Sequence, residues 1–147
     1  MPVTFHTEKT NFNLGQKLRH KRWIKQWIDL QEAKCGKLSF IFTSNKHLKL
    51  INEEYLNHNY FTDVISFDYS EEGLISGDIF ISIDQVKINA GTYNTEKEEE
   101  LRRVMVHGVN HLLGYGDGNE EERQTMRQME NDALHLWLNM LKNEKSV

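Results

Sequence analysis

The sequence predicts an α+β fold: one domain over residues 1–147, built as a small mixed β-sheet covered by helices, with a metal site on a buried central helix. Three observations carry this reading. Segments with the two-residue period of strands come mixed with segments of helical period. Two of the strand segments adjoin across a turn in mid-chain, as a hairpin does. A single proline, nine glycines and no repeat or composition break leave no place for a linker, and the length is close to the ~150 residues of one ordinary domain.

The elements follow in order. Val3 to His6 reads as a short first strand. Residues 14–32 read as a helix, because Trp23, Ile24, Trp27, Ile28 and Leu30 fall on one arc at ~100° per residue. Leu38, Phe40 and Phe42 alternate with Ser39, Ile41 and Thr43 as in a strand. Ser44 then stands as an N-cap to a helix carrying Leu48, Leu50, Ile51 and Tyr55. Thr62 to Tyr69 and Ser76 to Ile83 are β-branched and aromatic, and Glu71-Glu72-Gly73 between them is a turn signal. Asp84 is the expected cap of a short helix near Gln85–Ala90. Thr95 with Glu98 has capping-box spacing and opens a helix to Leu113, which Gly114 stops; residues 119–141 form the last helix.

Composition narrows the function classes. A hydrophobic fraction of 38% is enough for one core and excludes a disordered chain. Net charge of −4 excludes a strongly basic nucleic-acid coat, though not a local basic patch. Cys35 is alone, so neither an intrachain disulfide nor a cysteine zinc cluster can form, and it is expected to be inert. The opening MPVTFHTEKTNFNL has no basic-then-apolar signal pattern. No apolar run reaches the ~18 residues of a spanning helix. A soluble, cytoplasmic protein is expected.

The segment Glu100–Leu113 carries the chemistry. In helical projection Glu100, Arg103 and His111 fall within roughly 40° of His107, with Asn110 beside them at roughly 60°, and most of the remaining surface is apolar. A helix apolar on nearly all sides is buried, so its one polar stripe must face a cleft or a satisfied network. Two histidines at i and i+4 can share one cation. Gly114 ends the helix and lets the chain turn back, bringing Asp117 to where a third ligand belongs. The frame His107-x3-His111-x2-Gly114-x2-Asp117 gives three protein ligands and an open position, the pattern of a catalytic zinc site. The plainer alternative is a polar stripe satisfied at a helix–helix interface. A zinc peptidase of the H-E-x-x-H type needs a glutamate as general base, and here that position is Gly108. Peptide hydrolysis is therefore not expected, whereas a metal can still act on a phosphoryl group.

Three blocks of the chain resemble a known family. Leu50-Ile51-Asn52-Glu53-Glu54-Tyr55 with Thr62-Asp63-Val64-Ile65-Ser66-Phe67 is similar to LNxxYR…PTDVLSF. Ser76-Gly77-Asp78-Ile79 is similar to a GDI strand. His107-Gly108-Val109-Asn110-His111-Leu112-Leu113-Gly114-Tyr115 is similar to HGxxHLxGY, with Met126 and Glu130 at the M-x3-E spacing beyond. These are the blocks of the YbeY endoribonucleases, which mature bacterial ribosomal RNA. The resemblance implies a zinc-dependent endoribonuclease, specific for single strands, that processes the 3′ end of small-subunit (16S) ribosomal RNA and serves ribosome quality control. It also implies one Zn²⁺ (or another divalent ion) per chain, on His107, His111 and Asp117.

The departures are local. Asp117 stands where the family usually has a third histidine, Leu56 where it has an arginine, His58 at a usually basic position, Phe61 for the proline before Thr62, and Asn110 for an apolar residue. With Leu56 unable to bind phosphate, His58 and Arg103 are the candidate catalytic cations. Arg19, Arg22 and Lys25, with Lys21 near their edge, are the candidate RNA-backbone patch on the first helix, interrupted by Asp29 and Glu32. Trp23 and Trp27 are expected in the core rather than stacked on bases, and Met126 and Met129 likewise. Glu96 to Glu100 suit a helix N-terminus. His6, His20, His47 and His135 are expected at the surface or hydrogen-bonded. Two rival functions remain: a non-catalytic ribosome-assembly protein with a structural metal, and a metal-dependent hydrolase of another substrate.

Overall fold

The computed structural model describes residues 3–57 and 62–145. In chain order the elements are β1 (Val3–Thr7), α1 (Lys17–Leu30), β2 (Lys34–Thr43), α2 (Asn45–Leu56), β3 (Val64–Asp68), β4 (Leu74–Ser82), α3 (Ile83–Tyr93), α4 (Lys97–Leu112) and α5 (Glu120–Lys145). The sheet is mixed, with order β1-β2-β4-β3. β1, β2 and β4 run parallel, and β3 pairs antiparallel with β4 as the expected hairpin. The α+β class read from the sequence is the class observed. No helix of the described residues is long and apolar enough to cross a membrane.

Strand alternation sorts the side chains onto two faces. Leu38, Phe40 and Phe42 of β2 and Ile79 and Ile81 of β4 face α1 and α4, where they meet Trp23, Ile24, Ile28, Met105 and Val109. The opposite face carries Ile65, Phe67 and Phe80 under Leu48 and Ile51 of α2. α5 packs outside, against α4 and α1.

Glycine sets how closely α4 lies on the sheet. A Cβ at Gly108 would come within 2.7 Å of Ile79 Cγ2 and 3.1 Å of Ser66 Oγ. A Cβ at Gly77 would collide with the Phe67 carbonyl and approach Leu112. Ser66 Oγ also donates to the Gly108 carbonyl at 3.2 Å. Gly108 is thus required by packing, and no side chain, let alone a glutamate, fits at that position without moving the helix off the hairpin.

Several local expectations are corrected. Ser44 caps α2 as expected, its Oγ accepting from the His47 N–H at 3.1 Å. α3, however, is capped by Ser82 rather than Asp84, because β4 ends at Ser82 and leaves its hydroxyl 3.1 Å from the Gln85 N–H. Asp84 lies inside the first turn and accepts from the Asn45 N–H instead. Thr95 does not cap α4. Its N–H closes the end of α3 on the Ala90 carbonyl, and the cap position falls to Glu96, which makes no side-chain cap bond. α1 is shorter than 14–32, and Leu30, its last residue, stands 62% exposed with no further turn beside it. Leu50 and Tyr55 point outward from α2, Tyr55 edge-on to Phe67. His20 is neither exposed nor fully satisfied: it is 3% exposed, and its Nε2 has no partner among the described residues.

Candidate metal centre

α4 is buried along most of its length, and Glu100, Arg103 and His107 of its polar stripe open into a cleft of about 680 Å³. The helix closes where the sequence says it should. The Gly114 N–H bonds the His111 carbonyl and the Tyr115 N–H bonds the Asn110 carbonyl, both at 3.0 Å. Gly114 takes φ 99°, a left-handed turn that costs glycine little. The chain reverses, and Asp117 Oδ2 arrives 3.3 Å from His107 Nε2 and 3.5 Å from His111 Nε2. The two Nε2 atoms are themselves 3.0 Å apart.

The hydrogen bonds behind these rings decide what the converging atoms are. His107 Nδ1–H donates to Glu130 Oε2 at 2.7 Å, and His111 Nδ1–H donates to the Tyr115 carbonyl at 2.9 Å. In its neutral form each imidazole thereby turns an unprotonated Nε2 inward, as a metal ligand requires. Two lone pairs and a carboxylate oxygen at these separations repel unless a positive charge, a metal ion or a proton on one ring, lies among them. A tetrahedral zinc with bonds of ~2.0–2.1 Å to nitrogen and oxygen has ligand–ligand edges of roughly 3.3 Å, close to the three distances observed. The donor set fits such an ion, and His107, His111 and Asp117 are the group of described residues able to hold it.

Charge around the site is mostly negative. Burial works against a protonated His107, but the hydrogen bond and charge of Glu130, with Asp63 and Asp117 behind, more than offset it, and its pKa rises. His111 goes the other way: burial and the neighbouring His107 charge lower it. Burial raises the carboxyls of Asp63 and Glu100 above the usual range. Asn89 Nδ2 donates to Asp63 Oδ2 at 3.1 Å.

The remaining candidates fall as follows. Arg103 lines the cleft, but its guanidinium is engaged: Nη1 donates to Glu130 Oε1 at 3.0 Å and Nη2 to Asn131 Oδ1 at 2.9 Å. His58 and Phe61 lie outside the described residues. Arg22 and Lys25 are exposed on α1, whereas Arg19 is half-buried, 5.8 Å from the Trp137 ring; none of the three lines the cleft. Trp23 and Trp27 are buried, as are Met126 and Met129. Trp27 Nε1 donates to Asn110 Oδ1 at 2.8 Å, which satisfies the polar residue at a usually apolar place. Burial pushes the Cys35 thiol up, away from the reactive thiolate. Sequence reasoning gave no role to Glu130 or Asp63, although both stood in the quoted motifs. No periodicity on α4 could point to residues that reach it from β3 and α5.

A family model described as Endoribonuclease YbeY matches residues 4–137. The Endoribonuclease YbeY of Parabacteroides distasonis is 40% identical over 134 residues, covering 91% of this chain and 94% of that protein. The Bacteroides fragilis protein of the same name is also 40% identical over 134 residues, covering 91% of this chain and 96% of its own length.

The chain belongs to the endoribonuclease YbeY family.

The solution structure of TM1509 from Thermotoga maritima shares the fold, with a TM-score of 0.66 at 24% identity, covering 97% of this chain and 93% of that one. The family match spans both α4 with its two cleft-side histidines and the stretch of α5 that supplies Glu130.

Proposed function

We propose that the chain is a divalent-metal-dependent endoribonuclease that cuts single-stranded RNA, acting on the 3′ end of small-subunit ribosomal RNA and in ribosome quality control. Hydrolysis of RNA phosphodiester bonds follows from family membership. The metal dependence rests on one observation above the others, the convergence of His107 Nε2, His111 Nε2 and Asp117 Oδ2 within 3.0–3.5 Å of one another. The ion proposed is zinc, one per chain, with other divalent ions competent in its place. The proposed setting is the cytoplasm, and the proposed partner the small ribosomal subunit.

A bound divalent ion supplies the Lewis acidity that phosphodiester hydrolysis needs at neutral pH. The chain's own residues do the rest. Glu130 fixes His107 in the Nδ1–H tautomer and so aims Nε2 inward. Arg103 holds Glu130 and acts through it, as a positioning residue rather than a substrate contact. Asp117 lowers the net positive charge relative to three histidines, which favours harder ions such as Mn²⁺. His58 is proposed as a phosphate-facing cation from its place in the motif, and Arg22 and Lys25 as backbone contacts from their exposure on α1. Peptide hydrolysis finds no support, since Gly108 both lacks a proton acceptor and has no room for one.

The test incubates metal-defined protein with unstructured RNA, duplex RNA and casein, beside a His111→Ala control. Cleavage of the unstructured RNA alone, lost on chelation and in the control, is expected. RNA binding without cleavage favours the assembly-protein alternative, for which Leu56 in the family's arginine position is the specific motive. Casein hydrolysis lost on chelation would sink the nuclease reading.

A further inference from the structure

The wall of the cleft opposite α4 is formed by α5, and it carries a cation with no partner among the described residues. Among the lining residues the carboxylates Asp63, Glu100, Asp117, Glu120 and Glu130 make the cleft hostile to a polyanion. A strand of phosphodiesters is drawn in where a cation's charge is not already matched. Arg103 is matched by Glu130 at 3.0 Å, with Asn131 taking a second of its N–H groups. Arg123 pairs with Glu120 at 3.3 Å and reaches the Asp117 carbonyl at 3.5 Å. Arg127 lines the same cleft, is exposed, and makes no hydrogen bond or ion pair among the described residues.

The backbone that carries Arg127 is nonetheless held firmly. Met126 before it is 2% exposed, and Glu130, one turn on, is fixed by both His107 and Arg103. An exposed planar guanidinium on a fixed helix, lining the same cleft as His107 and Asp117, suits recognition of phosphate oxygens. We propose that Arg127 forms a phosphate subsite on α5, gripping a backbone phosphate of the RNA strand next to the His107–His111–Asp117 centre. This rests on the reading that RNA enters this cleft.

The test uses the full, zinc-loaded chain and a short unstructured oligoribonucleotide. KM and kcat are measured with the RNA, and Kd at several salt concentrations with its 2′-O-methyl counterpart. Variants are Arg127→Ala, Arg127→Lys and Lys34→Ala, the last removing an exposed cation at the start of β2 that does not line the cleft. Arg127→Ala should raise KM and Kd about ten-fold, the scale of one lost charge-assisted contact, with kcat and zinc content unchanged. Its salt slope should flatten by ~0.7, the counterion release of one single-strand phosphate. Arg127→Lys should recover part of the loss, and Lys34→Ala should stay within about two-fold of wild type. An Arg127→Ala protein indistinguishable from Lys34→Ala, or one that loses only kcat or zinc, overturns the subsite and leaves the nuclease reading standing. A wild type that binds RNA without cutting it removes the nuclease reading, while the Kd series still decides Arg127. A wild type that does not bind RNA overturns both.

Discussion

From one face, α5 presents two different side chains to two histidines, one half-buried and one buried. Glu130 and Trp137 are seven residues apart on it, about two turns, and each meets an imidazole. Glu130 accepts from His107 at 2.7 Å, and Trp137 lies 4.6 Å, ring to ring, from His20. Both histidines are withdrawn from water, which alone would discharge either. Around His107 stand the carboxylates Glu130, Asp63 and Asp117, and its pKa rises. His20 lies among Trp23, Trp137 and Phe5, with Arg102 and Arg19 over the Trp137 ring. Its pKa falls to about 4, first through burial and then through the Arg102 and Arg19 charges, partly offset by the Gln16 carbonyl. Burial is common to both; the charge brought by the neighbouring elements decides the direction in which each pKa moves.

The sharpest way to break that comparison is to remove the anion of the proposed cation site. Asp117→Ala leaves two neutral ligands, and bound zinc should drop from one ion per chain to almost none while the fold persists. Asp117→His should retain zinc. Metal analysis with circular dichroism reads both; wild-type zinc affinity in Asp117→Ala would place the third ligand elsewhere.

The next effect lies on the other histidine. Unfolded His20 takes up a proton near its ordinary value of 6.5, but folded His20 resists until about 4. Between those values the unfolded state binds more protons, so stability falls as pH drops. Full benefit is present above 6.5 and is lost on the way down to about 4, at a cost of about 3 kcal/mol. Denaturant unfolding across that range should show this slope in wild type and lose it in His20→Leu. An unchanged slope in the variant would assign the acid sensitivity to other groups.

The smallest effect tests the side chain that distinguishes the two. Glu130→Gln keeps the shape but removes the charge facing His107. Zinc affinity should fall by about 10- to 100-fold, the usual range for a partner behind a ligating histidine, with stoichiometry kept at saturation. Competition titration against a chelator measures it, and unaltered affinity would reduce Glu130 to packing.

How much of this was legible follows from the range of each interaction. The α4 stripe, its glycine stop and the return of Asp117 were readable because helical period and a left-handed turn are local properties of consecutive residues. The alternation of Leu38, Phe40 and Phe42 gave β2 its two faces for the same reason, and Ser44 declared its helix start. Capping at Thr95 and Asp84 misled because the end of the preceding element, α3 in one case and β4 in the other, set where each helix began.

The sequence by itself determined the α+β class, the family motifs and the pair of histidines on one helical face, since each depends on near neighbours in the chain. Only the tertiary structure decided what surrounds those histidines. Gly108 looked like a missing catalytic base and proved to be the place where α4 rests on Ile79 and Ser66. Arg103 looked like a free catalytic cation and proved to be bound to Glu130 and Asn131, contributed by α5. Both outcomes hang on packing between elements far apart in sequence, where a charge or a methyl group on one helix is felt only after the other has docked.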